Sequence, residues 1–283
     1  MRAAVQTGAQ RDGLSARNFQ RLAAHIYAYS GIKMPATKRT MLEGRLRRCV
    51  RAAGAASVDD YCDGLFEEGG LEREELRLFD AVTTNKTDFF REPNHFDFLS
   101  ERALPAFVEA GRTSVKVWSA ACSTGAEAYT AAMVLEEFAR SRTKLDYMML
   151  GTDLSTRVLA QAHRGIYPAE MVDPVPTDLR ARYLRRARDP QRREVRVASA
   201  LRAKSAFGRL NLMDQSYAVD RDMDVIFCRN VLIYFDQPTQ AKVLKRLCAH
   251  LRPGGYLMLG HSESLAGIDL PLTAVGNTVF QRK

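Results

Sequence analysis

Val115-Lys116-Val117-Trp118-Ser119-Ala120-Ala121-Cys122-Ser123-Thr124-Gly125 decides how the rest of this chain reads. Valines at 115 and 117 with Trp118 make a short apolar run of β-branched and aromatic character, and helix-forming residues follow directly after Gly125. Small residues at this junction let a ligand approach the backbone and the start of the helix, where N–H groups and the dipole favour an anion such as a carboxylate. A tight turn needed only for packing is the competing reading. The stretch is a poor G-x-G-x-x-G match, so a dinucleotide site has little support.

Downstream the same alternation recurs. Apolar strands are expected at 115–120, 147–152, 224–228 and 256–260, with helices near 125–140, 155–163 and 237–251. That order predicts an α/β fold with a mainly parallel, doubly wound sheet, whose ligand lies at the carboxyl ends of the strands. Asp236 is placed to cap the 237–251 helix, Pro253-Gly254-Gly255 to turn the chain into the next strand, and Thr278-Val279-Phe280 to form an edge strand. Between Gly165 and Leu212 the pattern breaks. Pro168, Pro174, Pro176 and Pro190 interrupt it, arginines crowd 180–196, and Val195-Arg196-Val197 alternates like an exposed strand, which predicts an inserted subdomain at about 166–210.

Upstream, helices are expected near 15–30, 38–53, 57–68 and 72–82, punctuated by Gly31, Gly54 and Gly69-Gly70, with Ser57 and Asp60 as an N-cap pair. They predict a small all-α domain over residues 1–82. In its second helix Leu42, Leu46, Cys49, Val50 and Ala53 share a face of roughly 100°, while Arg47, Arg48 and Arg51 cluster opposite. That cationic side is either a solvated face or a docking surface for an acidic helix.

Residues 83–92, Thr83-Thr84-Asn85-Lys86-Thr87-Asp88-Phe89-Phe90-Arg91-Glu92, join the two regions with neither helical nor strand period. Amide, hydroxyl and guanidinium groups around two phenylalanines suit a small, charged ligand. A capped linker in which the phenylalanines only pack is the alternative.

The length of 283 residues fits about two domains, and 46% hydrophobic with 27% charged residues describes a globular protein. No run approaches the roughly 18 apolar residues that span a bilayer, and the first thirteen residues are polar, so a cytoplasmic location without membrane insertion is expected. The five cysteines, at 49, 62, 122, 228 and 248, lack any C-x-x-C pair, which predicts reduced, mostly buried thiols. Five scattered histidines show no metal-ligand spacing, so no metal is expected. The net charge of +9 favours an acidic partner without naming it: nucleic acid, anionic membrane and acidic protein fit equally, as does a solvated face.

Two further strand ends carry candidates. In Gly151-Thr152-Asp153-Leu154-Ser155 the Asp153 carboxylate sits where it can accept bonds from both hydroxyls of a ribose, while Ser155 is free to cap the next helix. Asp224-Val225-Ile226-Phe227-Cys228 delivers Arg229 and Asn230 to the same edge, with the Tyr234 hydroxyl four residues beyond Asn230. Cys122 has small, uncharged neighbours and reads as packing, and His163 reads as a helix-end residue. Gly260-His261-Ser262-Glu263-Ser264 lacks the final glycine of a hydrolase elbow and comes too late in the sheet to be one.

Taken in order, the segments 83–92, 118–129, 152–155, 224–235 and 260–265 resemble CheR-type chemoreceptor glutamate methyltransferases, and the resemblance spans nearly the whole chain. It implies a Rossmann-like, doubly wound methyltransferase sheet over 93–283, an all-α docking domain over 1–82, a linker at 83–92 that contributes to the cofactor site, and a small inserted β-subdomain. It further implies S-adenosylmethionine as methyl donor, released as S-adenosylhomocysteine, with Asn85, Thr87, Arg91, Glu127, Asp153, Asn211, Leu212, Arg229 and Asn230 lining the cofactor site. Arg91 and Tyr234 would stand nearest the transferred methyl, as the catalytic pair. Ala126 and Ala128 depart from the family pattern, but Glu127 between them remains. The partners implied are the cytoplasmic helices of chemoreceptors, docked by Arg47, Arg48 and Arg51, with the enzyme acting as a monomer and no nucleic acid bound. Two other readings keep the cofactor: methylation of a different acceptor such as nucleic acid, and a non-catalytic signalling module. Against the first, Arg229-Asn230-Val231-Leu232 stands where amino-group methyltransferases carry an Asn/Asp-Pro-Pro-aromatic tetrapeptide.

Overall fold

The computed structural model describes residues 13–142, 145–189 and 191–283, so the polar N-terminus and Pro190 lie outside the described residues. The chain divides into two compact units, Met1–Thr83 and Thr84–Lys283.

The first unit is built from four helices, α1 (Ala16–Ser30), α2 (Arg39–Ala53), α3 (Val58–Phe66) and α4 (Leu71–Val82). Each start and stop follows from local chemistry. The Ser15 and Ser57 hydroxyls accept from the N–H groups of Asn18 and Asp60, while Gly31 and Gly54 adopt the left-handed conformation that ends α1 and α2. Leu22, Ile26, Leu42, Leu46, Leu65, Leu78 and Phe79 fill the core between them. A buried amide adds direction: Asn18 Nδ2 donates to Asp59 Oδ1 at 3.1 Å and to Asp63 Oδ1 at 3.2 Å, which fixes α1 against α3. Gly70 permits α4 to start close under α3, since a Cβ there would stand 2.7 Å from the Gly64 carbonyl oxygen. On α2, Leu42, Leu46 and Cys49 are buried, Val50 is half-buried and Ala53 is exposed, so the packed face is narrower than the sequence predicts. Arg47, Arg48 and Arg51 all face solvent, and Arg47 pairs only loosely with Glu43 at 3.7 Å.

The second unit opens with α5 (Asn94–Phe98), a π turn (Leu99–Ala103) and α6 (Leu104–Glu109), then enters the alternating region. Its strands and helices are β1 (Ser114–Ser119), α7 (Ala126–Arg142), β2 (Asp146–Asp153) and α8 (Thr156–Arg164), then β3 (Ile166–Pro168), α9 (Thr177–Tyr183), β4 (Leu184–Arg186) and β5 (Glu194–Val197). They continue with α10 (Ser199–Ala203), β6 (Ser205–Arg209), β7 (Met223–Cys228), α11 (Gln237–His250), β8 (Leu251–Leu259), β9 (Leu272–Gly276) and β10 (Val279–Arg282). Seven strands form one sheet in the order β6-β2-β1-β7-β8-β10-β9, parallel from β6 to β8 and antiparallel thereafter. The order reverses at β1, whose neighbours are β2 and β7, and there the carboxyl ends open a crevice. β7 is buried along its whole length, as the near-continuous apolar run of a central parallel strand requires.

Four expectations are corrected. Residues 205–209 were expected in the inserted subdomain but form β6, which pairs in parallel with β2, so the separate three-stranded sheet β3-β5-β4 ends at Val197. Val195-Arg196-Val197 lies in the central strand of that small sheet, with both valines buried and only Arg196 exposed. Pro253-Gly254-Gly255 does not precede β8 but lies within it, as an irregularity opposite Met223 and Val225 where Gly254 adopts φ +76°. The strand at the C-terminus is not the edge, because β9 folds back outside it as a hairpin partner.

Candidate active site

The crevice is made by the turns after β1, β2, β6 and β7 together with the segment 84–92. After β1 the chain is pinned from both sides: Ala120 N–H donates to the Phe227 carbonyl at 2.8 Å and Cys122 N–H to the Thr152 carbonyl at 2.9 Å. Gly125 then turns with φ +85°, and a Cβ there would stand 2.8 Å from the Ala162 Cβ. That close approach is what presses the start of α7 against α8.

Asp153 ends β2. Its Oδ1 accepts from Ser155 N–H and its Oδ2 from Ser123 N–H, each at 2.9 Å, while the Ser155 hydroxyl caps α8 as its position predicts. These backbone bonds orient the Asp153 carboxylate against the turn after β1 and the start of α8. Ser123 passes the connection on, donating from Oγ to the Asn85 carbonyl at 2.7 Å and so tying the segment 84–92 to the β1 turn. Farther along, Phe90 N–H donates to Thr130 Oγ1 at 3.2 Å, and Phe89 is fully buried edge-on to Tyr167. This segment is thus docked over the strand ends, with Asn85 and Thr87 half-buried and Arg91 half-buried with its guanidinium donating to the Lys86 carbonyl at 3.2 Å.

The most buried charge in the crevice is Arg229, whose side chain is 2% exposed. Its guanidinium donates to Glu127 Oε2 at 3.0 Å, to Glu92 Oε2 at 3.0 Å and to the Arg91 carbonyl. Glu127 also accepts from Ser119 Oγ at 2.7 Å, and Glu92 from Asn230 Nδ2 at 3.1 Å. One guanidinium therefore joins 91–92, the first turn of α7 and the end of β7, a fork geometry that only arginine supplies. Its two terminal nitrogens bond to protein while the buried Nε has no protein partner, so the guanidinium braces the crevice wall with one donor unspent. Burial raises the Glu92 carboxyl, but the Asn230 amide and the Arg229 charge outweigh it and hold the group below its ordinary value.

Sequence reasoning missed Glu263. Buried to 7%, it accepts from the N–H groups of Gly260, Asn230, Val231 and Leu232 at 2.6, 2.9, 2.9 and 2.7 Å. Burial still pushes its carboxyl above the ordinary value against those four donors. This clip fixes the turn that carries Asn230, in the left-handed conformation at φ +57°, and the single turn Leu232–Tyr234 on which the half-buried Tyr234 sits. The only sequence signal was an acidic residue inside a false hydrolase elbow. Among the described residues, four of the six non-glycine residues with positive φ, Phe90, Glu92, Ser123 and Asn230, belong to these crevice segments, a concentration of backbone strain that marks functional sites.

Asn211 and Leu212 follow β6, which explains how that strand, unforeseen in sequence, brings them to the crevice. Leu210 N–H donates to the Asp153 carbonyl at 3.0 Å, Asn211 Oδ1 accepts from Met213 N–H at 3.0 Å, and the Leu212 carbonyl accepts from the Tyr217 hydroxyl at 2.8 Å. Cys122 is buried beneath the β1 turn and burial pushes its thiol well above the ordinary value, which suits packing and not nucleophilic attack. His163 lies exposed in the last turn of α8.

A doubly wound sheet whose order reverses at β1, with an acidic residue at the end of β2 and a tight small-residue turn after β1, has the form of a nucleotide-binding crevice. Residues 85–280 match the family model described as the CheR methyltransferase SAM-binding domain, and residues 17–83 match the CheR methyltransferase all-alpha domain. Chemotaxis protein methyltransferase of Klebsiella aerogenes is 38% identical over 272 residues, covering 96% of this chain and 91% of that protein. The chemotaxis protein methyltransferase of Escherichia coli is 37% identical over 274 residues, covering 96% and 92%, and that of Borreliella burgdorferi is 35% identical over 252 residues, covering 87% and 88%. This chain belongs to the CheR methyltransferase family and uses S-adenosylmethionine as its cofactor.

Proposed function

We propose that the enzyme transfers the methyl group of S-adenosylmethionine to glutamate side chains on the cytoplasmic helices of chemoreceptors, forming glutamyl methyl esters. The observation that carries this reading is the match along both regions, 17–83 and 85–280, to one family whose relatives are named chemotaxis protein methyltransferases. The working place of such an enzyme is the cytoplasm, as a monomer, with no nucleic acid substrate. No helix among the described residues is long and apolar enough to cross a membrane.

The chemistry asks little of the protein beyond position. A glutamate is ionised near pH 7 and is already the nucleophile, so no general base is required. The carboxylate oxygen must be aligned with the methyl and sulfur and stripped of water, and orientation can lower the barrier by several kcal/mol. Arg91 and Tyr234 are assigned to that task. Asp153 and Asn211 would receive the polar groups of the nucleoside, Asn85, Thr87 and Asn230 would line the remaining wall with Leu212 beneath, and Glu127 and Arg229 would hold these walls at fixed separation. In the N-terminal region Arg47, Arg48 and Arg51 form an exposed cationic row that suits an acidic receptor helix. The test is incubation with methyl-labelled S-adenosylmethionine and receptor cytoplasmic fragments. Base-labile label released as methanol is expected, and its absence would end the proposal.

A further inference from the structure

His95 and His261 lie 166 residues apart, far from any ligand spacing, yet the fold brings both against Glu92. His95 Nδ1 lies 3.7 Å and His261 Nε2 lies 3.9 Å from Glu92 Oε2, and the three ligand atoms all fall within 4.8 Å of one another. His95 is 1% exposed, and its Nδ1 has no hydrogen-bond partner, whereas Nε2 meets Thr278 Oγ1 at 2.9 Å. With the ring proton on Nε2 toward the Thr278 hydroxyl, Nδ1 is left as a bare lone pair aimed at a carboxylate oxygen. A buried lone pair facing a carboxylate has no partner in ordinary protein chemistry except a proton or a cation.

We propose that Glu92, His95 and His261 bind one divalent transition-metal ion, best matched by zinc, and that its binding weakens the hold of the cofactor crevice. Two imidazole nitrogens and one carboxylate oxygen suit zinc, cobalt or nickel and do not suit magnesium or calcium, which take oxygen ligands. Tetrahedral zinc with bonds of about 2.1 Å holds its ligand atoms about 3.4 Å apart, so the two contacts to Glu92 Oε2 must each close by some tenths of an ångström and the exposed His261 ring must swing toward His95 by up to about 1.4 Å. The exposed side of His261 supplies the entry path. The effect on the crevice follows from shared atoms: Glu92 Oε2 is the oxygen that accepts from Arg229, and a cation on it repels the guanidinium that also holds Glu127 and the Arg91 carbonyl. The same repulsion makes zinc binding moderate.

Zinc titrated calorimetrically into the full chain without cofactor should bind about one ion per chain, and magnesium should not bind. Cobalt should give weak visible bands without the intense near-ultraviolet absorption of a thiolate ligand, which separates this site from the five cysteines. His261→Ala, at an exposed position, should weaken zinc by about 10- to 100-fold, and His95→Gln likewise, with thermal melting of the metal-free variants checking that each is folded. Zinc binding that is absent, thiolate-like or unchanged in His261→Ala overturns the site. The second arm rests on the cofactor reading: zinc should weaken S-adenosylhomocysteine several-fold, and the product should weaken zinc by the same factor. Zinc binding without that coupling overturns the link to the crevice alone.

Discussion

Replacing Arg229 by methionine keeps most of the side chain's volume and removes the one charge that faces both Glu92 and Glu127. Three interactions vanish: two charge-assisted bonds of 3.0 Å and one to the Arg91 carbonyl. Glu127 retains one neutral donor, Ser119 Oγ at 2.7 Å, and Glu92 retains two, Asn230 Nδ2 at 3.1 Å and the His261 N–H at 3.3 Å. Removing one member of a buried ion pair costs about 3–5 kcal/mol, because the partner charge is left uncompensated in a low-dielectric site. The expected loss is thus about 4 kcal/mol, roughly a thousandfold in the folded-to-unfolded ratio. Arg229→Lys should lose about half of that, since one ammonium cannot span both carboxylates. The only tryptophan, Trp118, is fully buried in β1, so its fluorescence during urea unfolding reports on the unit that contains the clamp. With a slope of about 3 kcal/mol per molar urea the midpoint should fall by about 1.3 M. Converting Glu92 and Glu127 to glutamine in the methionine variant removes the stranded charges and should restore at least about half of the loss. A single variant within about 0.5 kcal/mol of the parent, or a triple variant no better than the single, would refute the clamp.

Gly125→Ala forces a left-handed backbone and a 2.8 Å contact on Ala162, so a stability loss of about 2–4 kcal/mol is expected, with product affinity in calorimetry falling at least about tenfold. Converting Arg47, Arg48 and Arg51 together to alanine should raise KM for receptor fragments about tenfold, and leave product affinity within about twofold, because these exposed side chains carry no core packing. Glu137 on α7 receives the Arg182 guanidinium and the Tyr183 hydroxyl of α9; burial raises its carboxyl, but those two donors outweigh it and hold it below the ordinary value of 4.5. A depressed carboxyl stabilises above its unfolded value and loses that contribution as pH falls through its folded value, so Glu137→Gln should cost about 1 kcal/mol at pH 7 and progressively less as pH falls below the ordinary value of 4.5, read by urea midpoints over that range.

What the sequence made legible was what its apolar period carried. The strands β1, β2 and β7 and the caps at Ser57, Ser155 and Asp236 follow from alternation and from hydroxyl or carboxylate groups placed just before helical runs. β6 and β9 did not announce themselves, since both are edge strands whose residues are exposed or half-buried and therefore need no apolar repeat. The nucleotide-facing candidates could be picked because they end buried strands. Their supports could not: Glu263 and Glu92 act through residues more than thirty and more than a hundred positions away, and no local pattern encodes a partner at that separation.

The clip by Glu263 has a consequence for synthesis on the ribosome. Asn230 and the turn behind it are held by a carboxylate that emerges from the exit tunnel more than thirty residues later, and Arg229 draws on a segment made 138 residues earlier. A nascent chain can lay down β1 and β2 side by side long before it can close the pocket. Affinity for the methyl donor should therefore switch on abruptly once Glu263 has emerged and folded onto the Asn230 turn, which makes ligand capture a sensitive gauge of whether that carboxylate has been delivered.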